Sequence, residues 1–180
     1  MKKTVENIYR EIDGIVSEML VAYPSMVKCK IGCADCCHAV FDVSLVEGQL
    51  ILEAFKSLDR SSRREITRRA AKAMKQWKKL LDMADGLEEI GRERIRCPFL
   101  DKKNVCSIYA ARPVNCRTYG IPLEINGVAR VCGLSGFIEG ESYQSLNMDK
   151  LHRKLLDLSM ELSPEDGGKR WPVASIILSA

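Results

Sequence analysis

The chain has 180 residues, of which 46% are hydrophobic and 29% are charged, a composition typical of one globular domain with its own core. No apolar stretch approaches the roughly 20 residues that span a bilayer, and charged side chains interrupt the N-terminal segment where a signal peptide would need an apolar run. We therefore expect a single soluble domain over residues 1–180, located in the cytoplasm, where structural disulfides are rare.

The net charge of +4 is concentrated in one segment. Nine basic residues and one acid lie between positions 60 and 79, a local charge of +8 that leaves −4 for the rest of the chain. A basic segment of this kind can bind nucleic acid or an acidic partner, but a solvated charged helix face is the commoner meaning of such a run. We expect no membrane partner.

Hydrophobic periodicity predicts about four amphipathic helices, of which the first two lie before the basic segment. Apolar residues at steps of three and four predict a helix from Val5 to Leu20, and Pro24 ends it. Ser44 and Glu47 have the spacing of a capping box and predict a second helix, which runs to about residue 58.

The basic segment 60–79 is itself predicted to be a helix, because its apolar residues share one face. These are Ile66, Ala70, Ala73, Met74, Trp77, Leu80 and Leu81. A last helix is predicted over residues 146–158. The tail after Pro164 is expected to begin as a loop, with its apolar end packed back on the domain.

Residues 96–132 differ in composition from the helical segments, since they are rich in cysteine and in turn residues. Within them, "YGIPLEINGVARVC" places two strand-like runs around Asn126-Gly127, a dipeptide that favours a type I′ hairpin turn. The predicted fold class is therefore mainly α, with an irregular cysteine-rich metal-binding core and one short β-hairpin.

The eight cysteines form two groups, a pattern typical of thiolate metal sites. The first group is Cys29, Cys33, Cys36 and Cys37, and the second is Cys97, Cys106 and Cys116, followed by Cys132 at the end of the hairpin. Short-range thiol clusters on tight turns need little extra ordering to bind a metal, and soft thiolates select zinc, copper(I) or iron–sulfur clusters. Nearby cations could offset the negative charge of such a centre, namely Lys28, Lys30, Arg112 and Arg117.

Inert burial, disulfide formation and radical chemistry are less favoured roles for the thiols. Inert buried cysteines rarely cluster in this way, and disulfides are rare in the cytoplasm, although export of the chain would favour them. The C-x3-C-x2-C spacing of Cys29, Cys33 and Cys36 matches that of radical S-adenosylmethionine enzymes, but Cys37 and the second group supply surplus ligands and long helices follow instead of a barrel. We reject that assignment.

Adjacent Cys36 and Cys37 pose a geometric question, because successive side chains seldom ligate one mononuclear ion. Either two neighbouring sites divide the pair, or one site has a spare thiol. A polynuclear iron–sulfur centre suits the pair somewhat better than zinc does. His38 could replace a thiolate in a Cys3His site, although a hydrogen-bonded imidazole is the competing interpretation.

Three further side chains are expected near the cysteines. Tyr109 and Tyr119 are expected to pack around the site and exclude water from it. Asp35 is expected to be a turn residue, and it could also form a hydrogen bond beside the site.

The segment from "CKIGCADCC" through "CPFL" to C-x-IY-x2-RP-x2-CR resembles the CxxCxxCC or YkgJ-like family of bacteria and archaea, whose members are described as zinc- or iron-chelating. The resemblance covers about residues 29–133. It implies metal ligation by Cys29, Cys33, Cys36, Cys37, Cys97, Cys106 and Cys116, with Cys132 at the edge of the pattern.

The expected function is a metal-binding protein that holds an iron–sulfur cluster or Zn²⁺, with a redox, electron-transfer or accessory role. One branch with a related cluster includes flagellin lysine N-methylases, so the resemblance also implies a protein-modifying enzyme as an alternative. A zinc-stabilised module that binds a protein or nucleic acid through helix 60–79 is a further alternative.

Overall fold

The computed structural model describes residues 2–30, 32–84, 86–138 and 140–180. Within these ranges the chain forms seven α-helices and five short strands, which confirms the mainly α fold class. The helices are α1 (Lys2–Ala22), α2 (Leu45–Ser57), α3 (Arg60–Met83), α4 (Leu87–Arg92), α5 (Val114–Thr118), α6 (Met148–Leu162) and α7 (Val173–Leu178). The strands are β1 (Asp42–Val43), β2 (Leu123–Ile125), β3 (Val128–Arg130), β4 (Leu146–Asn147) and β5 (Trp171–Pro172). In the part of the chain described, none of these helices combines the length and apolar character needed to cross a membrane.

Helices α1, α2, α5 and α6 enclose the first hydrophobic core. The predicted periodicity of α1 is confirmed, because Val5, Ile8 and Ile12 are buried there. Leu50 of α2 and Leu155 of α6 belong to the same buried cluster. The buried residues of this core therefore lie on helix faces where apolar residues recur at the helical period.

The predicted capping box at the start of α2 is confirmed. The Ser44 backbone N–H donates to Glu47 Oε2 at 3.0 Å, and the Ser44 hydroxyl donates to the same oxygen at 2.8 Å. Glu47 is only 2% exposed, and its second oxygen, Oε1, accepts from the Val114 N–H at 2.8 Å. One buried carboxylate therefore fixes the starts of both α2 and α5.

Helix α3 packs on the C-terminal helix α7 and forms the second core. Ile66, Ala70 and Ala73 are buried on α3, and they lie in one cluster with Ala174 and Ile177 of α7. The predicted packing of the tail on the domain is confirmed. The tail also contains α7 and the strand β5, which pairs antiparallel with β1, and neither element was predicted.

The predicted hairpin is confirmed, but its surroundings differ from expectation. Strands β2 and β3 pair antiparallel around Asn126 and Gly127, whose φ angles of 52° and 72° suit a type I′ turn. Strand β4 adds to β2 in parallel. The last helix therefore begins at Met148 and not at residue 146, since the preceding two residues form a strand and Asn147 caps α6 by accepting from the Lys150 N–H at 3.0 Å.

Candidate metal centre

Backbone hydrogen bonds bring the two cysteine groups together. The Cys97 N–H donates to the Cys37 carbonyl at 2.7 Å, and the Ile95 N–H donates to the His38 carbonyl at 3.0 Å. Residues 94–97 therefore run beside residues 37–39 in an antiparallel arrangement, which an isolated bridge between residues 39 and 94 extends. This pairing joins segments that lie about 60 positions apart in the chain.

Two consecutive tight turns present the doubled cysteine. The Cys37 N–H donates to the Ala34 carbonyl at 3.0 Å, and the His38 N–H donates to the Asp35 carbonyl at 2.9 Å. The Nδ1 of His38 lies 2.9 Å from the same Ala34 carbonyl oxygen. This contact agrees with the hydrogen-bonded interpretation of His38, since one ring nitrogen is occupied within its own turn.

The second cysteine group lies on a closed loop and on a short helix. Leu100 and Cys106 form an antiparallel bridge, and the Asp101 N–H donates to the Val105 carbonyl at 2.9 Å, so that the loop folds back on itself. Cys116 lies in α5, whose first residue, Val114, is held by the buried Glu47 carboxylate. The position of the Cys116 thiol therefore depends on a contact with α2.

Electrostatic effects link five thiols from both groups, which we call the inner cluster: Cys36, Cys37, Cys97, Cys106 and Cys116. Hydrogen bonds from the Cys116 and Cys37 thiols stabilise the Cys36 thiolate and lower its pKa, and the positive charge of Arg112 acts in the same direction. The contact with Cys36 raises the pKa of Cys37 and of Cys116. Cys36 is therefore the thiol whose charge its neighbours stabilise.

The other two members of the inner cluster are affected mainly by burial. Desolvation raises the pKa of Cys97 to about 12, and the charge of Cys106 adds to that effect. Desolvation also raises the pKa of Cys106, and Arg112 opposes this shift. Removal from water favours the protonated thiols until a metal or another cation stabilises the thiolates.

The remaining three thiols are linked by the effect of Cys33 and Cys132 on Cys29, and we call them the outer cluster: Cys29, Cys33 and Cys132. Cys29 is exposed as a residue, but partial desolvation of its thiol, followed by the charges of Cys33 and Cys132, raises its pKa to about 11. The Cys29 thiol donates to the Tyr119 carbonyl at 3.3 Å.

Gly120 is required for this approach of Cys29. A Cβ atom at position 120 would lie 2.4 Å from the Cys29 Sγ, and the φ angle of +105° favours glycine. The sequence offered no indication of this contact, since it joins residues 91 positions apart.

Asp35 connects three segments beside the cysteines. Its Oδ2 accepts from the Tyr119 hydroxyl at 2.7 Å, and its Oδ1 forms an ion pair with Arg94. Burial of Asp35 opposes ionisation, but the hydrogen bonds from Tyr119 and Arg94 outweigh it and lower the pKa of the carboxyl. The hydrogen bond that the sequence suggested for Asp35 is present, whereas the role of Arg94 was not foreseen.

Two sequence predictions near the site are wrong. Tyr109 is 58% exposed and stacks with Arg112, whose Cζ lies 3.5 Å from the ring centroid, so it does not pack around the cysteines. Arg117 does not face the sulfurs either. Its guanidinium donates to Asp13 at 2.6 and 2.8 Å and lies over the Tyr9 ring, which makes it a buried link to α1.

All eight cysteines are free thiols. Within the described ranges, no three His, Cys, Asp or Glu side chains are arranged as a group that could hold a metal ion. The donor chemistry of the inner cluster nevertheless fits a thiophilic metal, because backbone pairing at Cys37 and Cys97 joins the two cysteine groups and the positive charge of Arg112 acts on the Cys36 thiol.

Comparison with known proteins identifies a family. A model of the family CxxCxxCC, described as "Putative zinc- or iron-chelating domain", matches residues 28–133, which include all eight cysteines and more than half of the chain. Neither the curated proteins nor the solved structures contain a match to the chain.

Proposed function

The chain belongs to the CxxCxxCC family of zinc- or iron-chelating domains, and on that premise we propose that its inner cluster binds an iron–sulfur centre. The observation that carries the proposal is the backbone pairing of residues 37–39 with residues 94–97, in which the Cys97 N–H donates to the Cys37 carbonyl at 2.7 Å and joins the two cysteine groups. The charges of Cys97 and Cys106 act on the Cys37 thiol. Thiols of both cysteine groups therefore influence one another.

The adjacency of Cys36 and Cys37 favours iron–sulfur over zinc. A structural zinc ion takes four ligands in one tetrahedron, to which two adjacent side chains seldom both contribute. A polynuclear centre distributes its ligands over several iron ions, so neighbouring thiols can both lie close to it without competing for one tetrahedron. The Arg112 charge would offset part of the negative charge of the thiolates. Such a centre, when bound, would supply one-electron transfer, which is consistent with a redox or accessory role.

The outer cluster is proposed to contribute to a second site. Cys36 interacts electrostatically with Cys29 as well as with the inner thiols, so it is linked to both clusters. If Cys36 is counted with Cys29, Cys33 and Cys132, the eight cysteines divide into two sets of four that separate Cys36 from Cys37. All eight cysteines remain ligand candidates in this arrangement.

Anaerobic metal analysis tests the proposal. The protein is purified without oxygen, and its iron, zinc and acid-labile sulfide are measured together with its visible absorption. We expect iron and sulfide in equal stoichiometric amounts and a brown colour. A colourless protein with bound zinc would overturn the iron–sulfur assignment, and a protein with neither metal would overturn the proposal as a whole.

A matched pair of variants tests the division of ligands. Cys37→Ser removes a thiol of the inner cluster, and we expect it to abolish the visible absorption. Cys33→Ser makes the same chemical change in the outer cluster and should leave that absorption in place. Loss of the absorption in Cys33→Ser alone would place the main centre in the outer cluster and refute our assignment.

A further inference from the structure

The outer face of α3 carries a continuous row of positive charge. At about 100° per residue, its exposed cations occupy an arc of about 120° on the helix, opposite the buried Ile66, Ala70 and Ala73. They are Arg60, Arg64, Arg68, Lys72, Lys75, Lys78 and Lys79. From residue 60 to residue 79 the row is about 28 Å long.

The ion pairs found among the described residues do not involve this row. Five are found among the described residues, and none of them includes a residue of α3. The two acids of the helix are Glu65, which is half-buried at the edge of the row, and Asp82 in the last turn. A solvated helix face usually alternates the sign of its charges. Here Arg60, Arg64 and Arg68 follow one another at four-residue spacing, where like charges repel.

The helix holds these cations in a fixed arrangement. Its apolar face is buried against α7, and Arg69 is half-buried and donates to the Leu100 carbonyl at 2.7 Å. Asp59 caps its first turn by accepting from the Ser62 N–H at 2.9 Å. An open cleft lies among the side chains of the first two turns, lined by Arg60, Ser61, Arg64, Glu65 and Arg68.

We propose that this face of α3 binds the phosphate backbone of a nucleic-acid duplex without reading its sequence. The row presents about one cation per 4 Å, and a duplex presents about one negative charge per 1.7 Å of axis, so the two are complementary along the whole helix. This inference is independent of the metal that the cysteines bind.

Membranes, single strands and acidic proteins fit the face less well. Insertion into a membrane surface requires bulky apolar residues beside the cations. Ile66 and Met74 of α3 pack in the second core, and the exposed Leu81 and Met83 lie beyond Lys79, the last cation of the row. Binding of single strands by stacking requires exposed aromatic side chains, and the aromatic residue of α3, Trp77, lies on the half-buried side. The charge of a duplex repeats regularly along its axis, which suits a straight row of cations of this length better than the irregular charge distribution of a folded protein surface.

Fluorescence anisotropy with a labelled 20-base-pair duplex tests the proposal at several salt concentrations. We expect binding at 50 mM salt, with log K falling against log salt at a slope of about −4 to −6, as expected when the cations contact four to seven phosphates. DNA and RNA duplexes are compared, and both should bind. No binding of the unmodified protein at 50 mM salt would overturn the proposal.

Charge reversal locates the binding face. In the variant R64E/R68E/K72E we expect affinity to fall more than tenfold and the slope to become smaller by about three. Arg69 is left unchanged, because its contact with Leu100 supports the fold. The matched control K150E/R153E/K154E changes the net charge equally on exposed positions of α6 and should lose much less affinity. Circular dichroism verifies that both variants are folded.

Two further probes separate the alternatives. Polyglutamate represents an acidic protein partner, and vesicles with anionic lipid represent a membrane surface. Equal or tighter binding of either probe, relative to the duplex, would refute the assignment to nucleic acid, as would equal loss of affinity in the two triple variants.

Discussion

Replacement of Glu47 by alanine tests whether one carboxylate holds α2 and α5 together. The side chain is 2% exposed, and it accepts hydrogen bonds from the Ser44 N–H, the Ser44 hydroxyl and the Val114 N–H. Glu47→Ala leaves two buried backbone N–H groups without these partners. Each unsatisfied group costs about 1–3 kcal/mol, so we expect the free energy of unfolding to fall by about 2–6 kcal/mol.

The assay is urea unfolding of the metal-free protein, followed by circular dichroism at 222 nm. Glu47→Gln is the matched control. A glutamine can form a capping box, but its amide nitrogen cannot accept from the second N–H, so its cost should be about half that of alanine. If Glu47→Ala lowers the free energy of unfolding by less than 1 kcal/mol, or if Glu47→Gln costs as much as alanine, this carboxylate does not link the two helices as described.

Two further predictions concern single side chains. Gly120→Ala should destabilise the protein by about 1–3 kcal/mol and displace the Cys29 thiol, because the added Cβ would lie 2.4 Å from that sulfur. The control is Gly127→Ala, since Gly127 also has a positive φ angle but has open space around it. In the same urea titration this control should lower the free energy of unfolding by less. Equal costs would show that the φ angle alone matters. Arg117→Lys should lower the free energy of unfolding by about 2 kcal/mol, because lysine cannot reproduce the paired contact with Asp13 or the stacking on Tyr9. The control, Arg153→Lys on the exposed face of α6, should change thermal stability little. A Tm for Arg117→Lys equal to that of the control would contradict the role assigned to this guanidinium.

Local patterns explain why several elements could be predicted from sequence. The helices α1, α2 and α3 have periodic apolar residues, and Ser44 with Glu47 marks the start of α2. The turn at Asn126 and Gly127 also depends on adjacent residues alone. Each of these features depends on residues that are only a few positions apart, so it can be predicted from the sequence alone.

The remaining features depend on partners far away in the chain. Residues 146 and 147 form a strand because β2 lies beside them, which their own periodicity does not reveal. Arg117 follows Cys116 in sequence, yet it turns toward Asp13, 104 positions away. The same holds for the site, since the sequence indicated two cysteine groups but not that Cys132 lies near Cys29, or that Arg94 pairs with Asp35.

The pairing of Cys37 with Cys97 has a consequence for the order of folding. It closes a loop of about 60 residues, and the entropy of closing such a loop opposes the contact by roughly 4 kcal/mol before other contacts shorten it. Helices α2 and α3 lie inside the loop and form from local contacts, so we expect them to precede the meeting of the thiols. At a synthesis rate of about 5–20 residues per second, the first four cysteines emerge from the ribosome roughly 3–12 s before Cys97 does. During that interval Cys29, Cys33, Cys36 and Cys37 are a nascent cluster without its other half, and the cell must keep them reduced and free of the wrong metal.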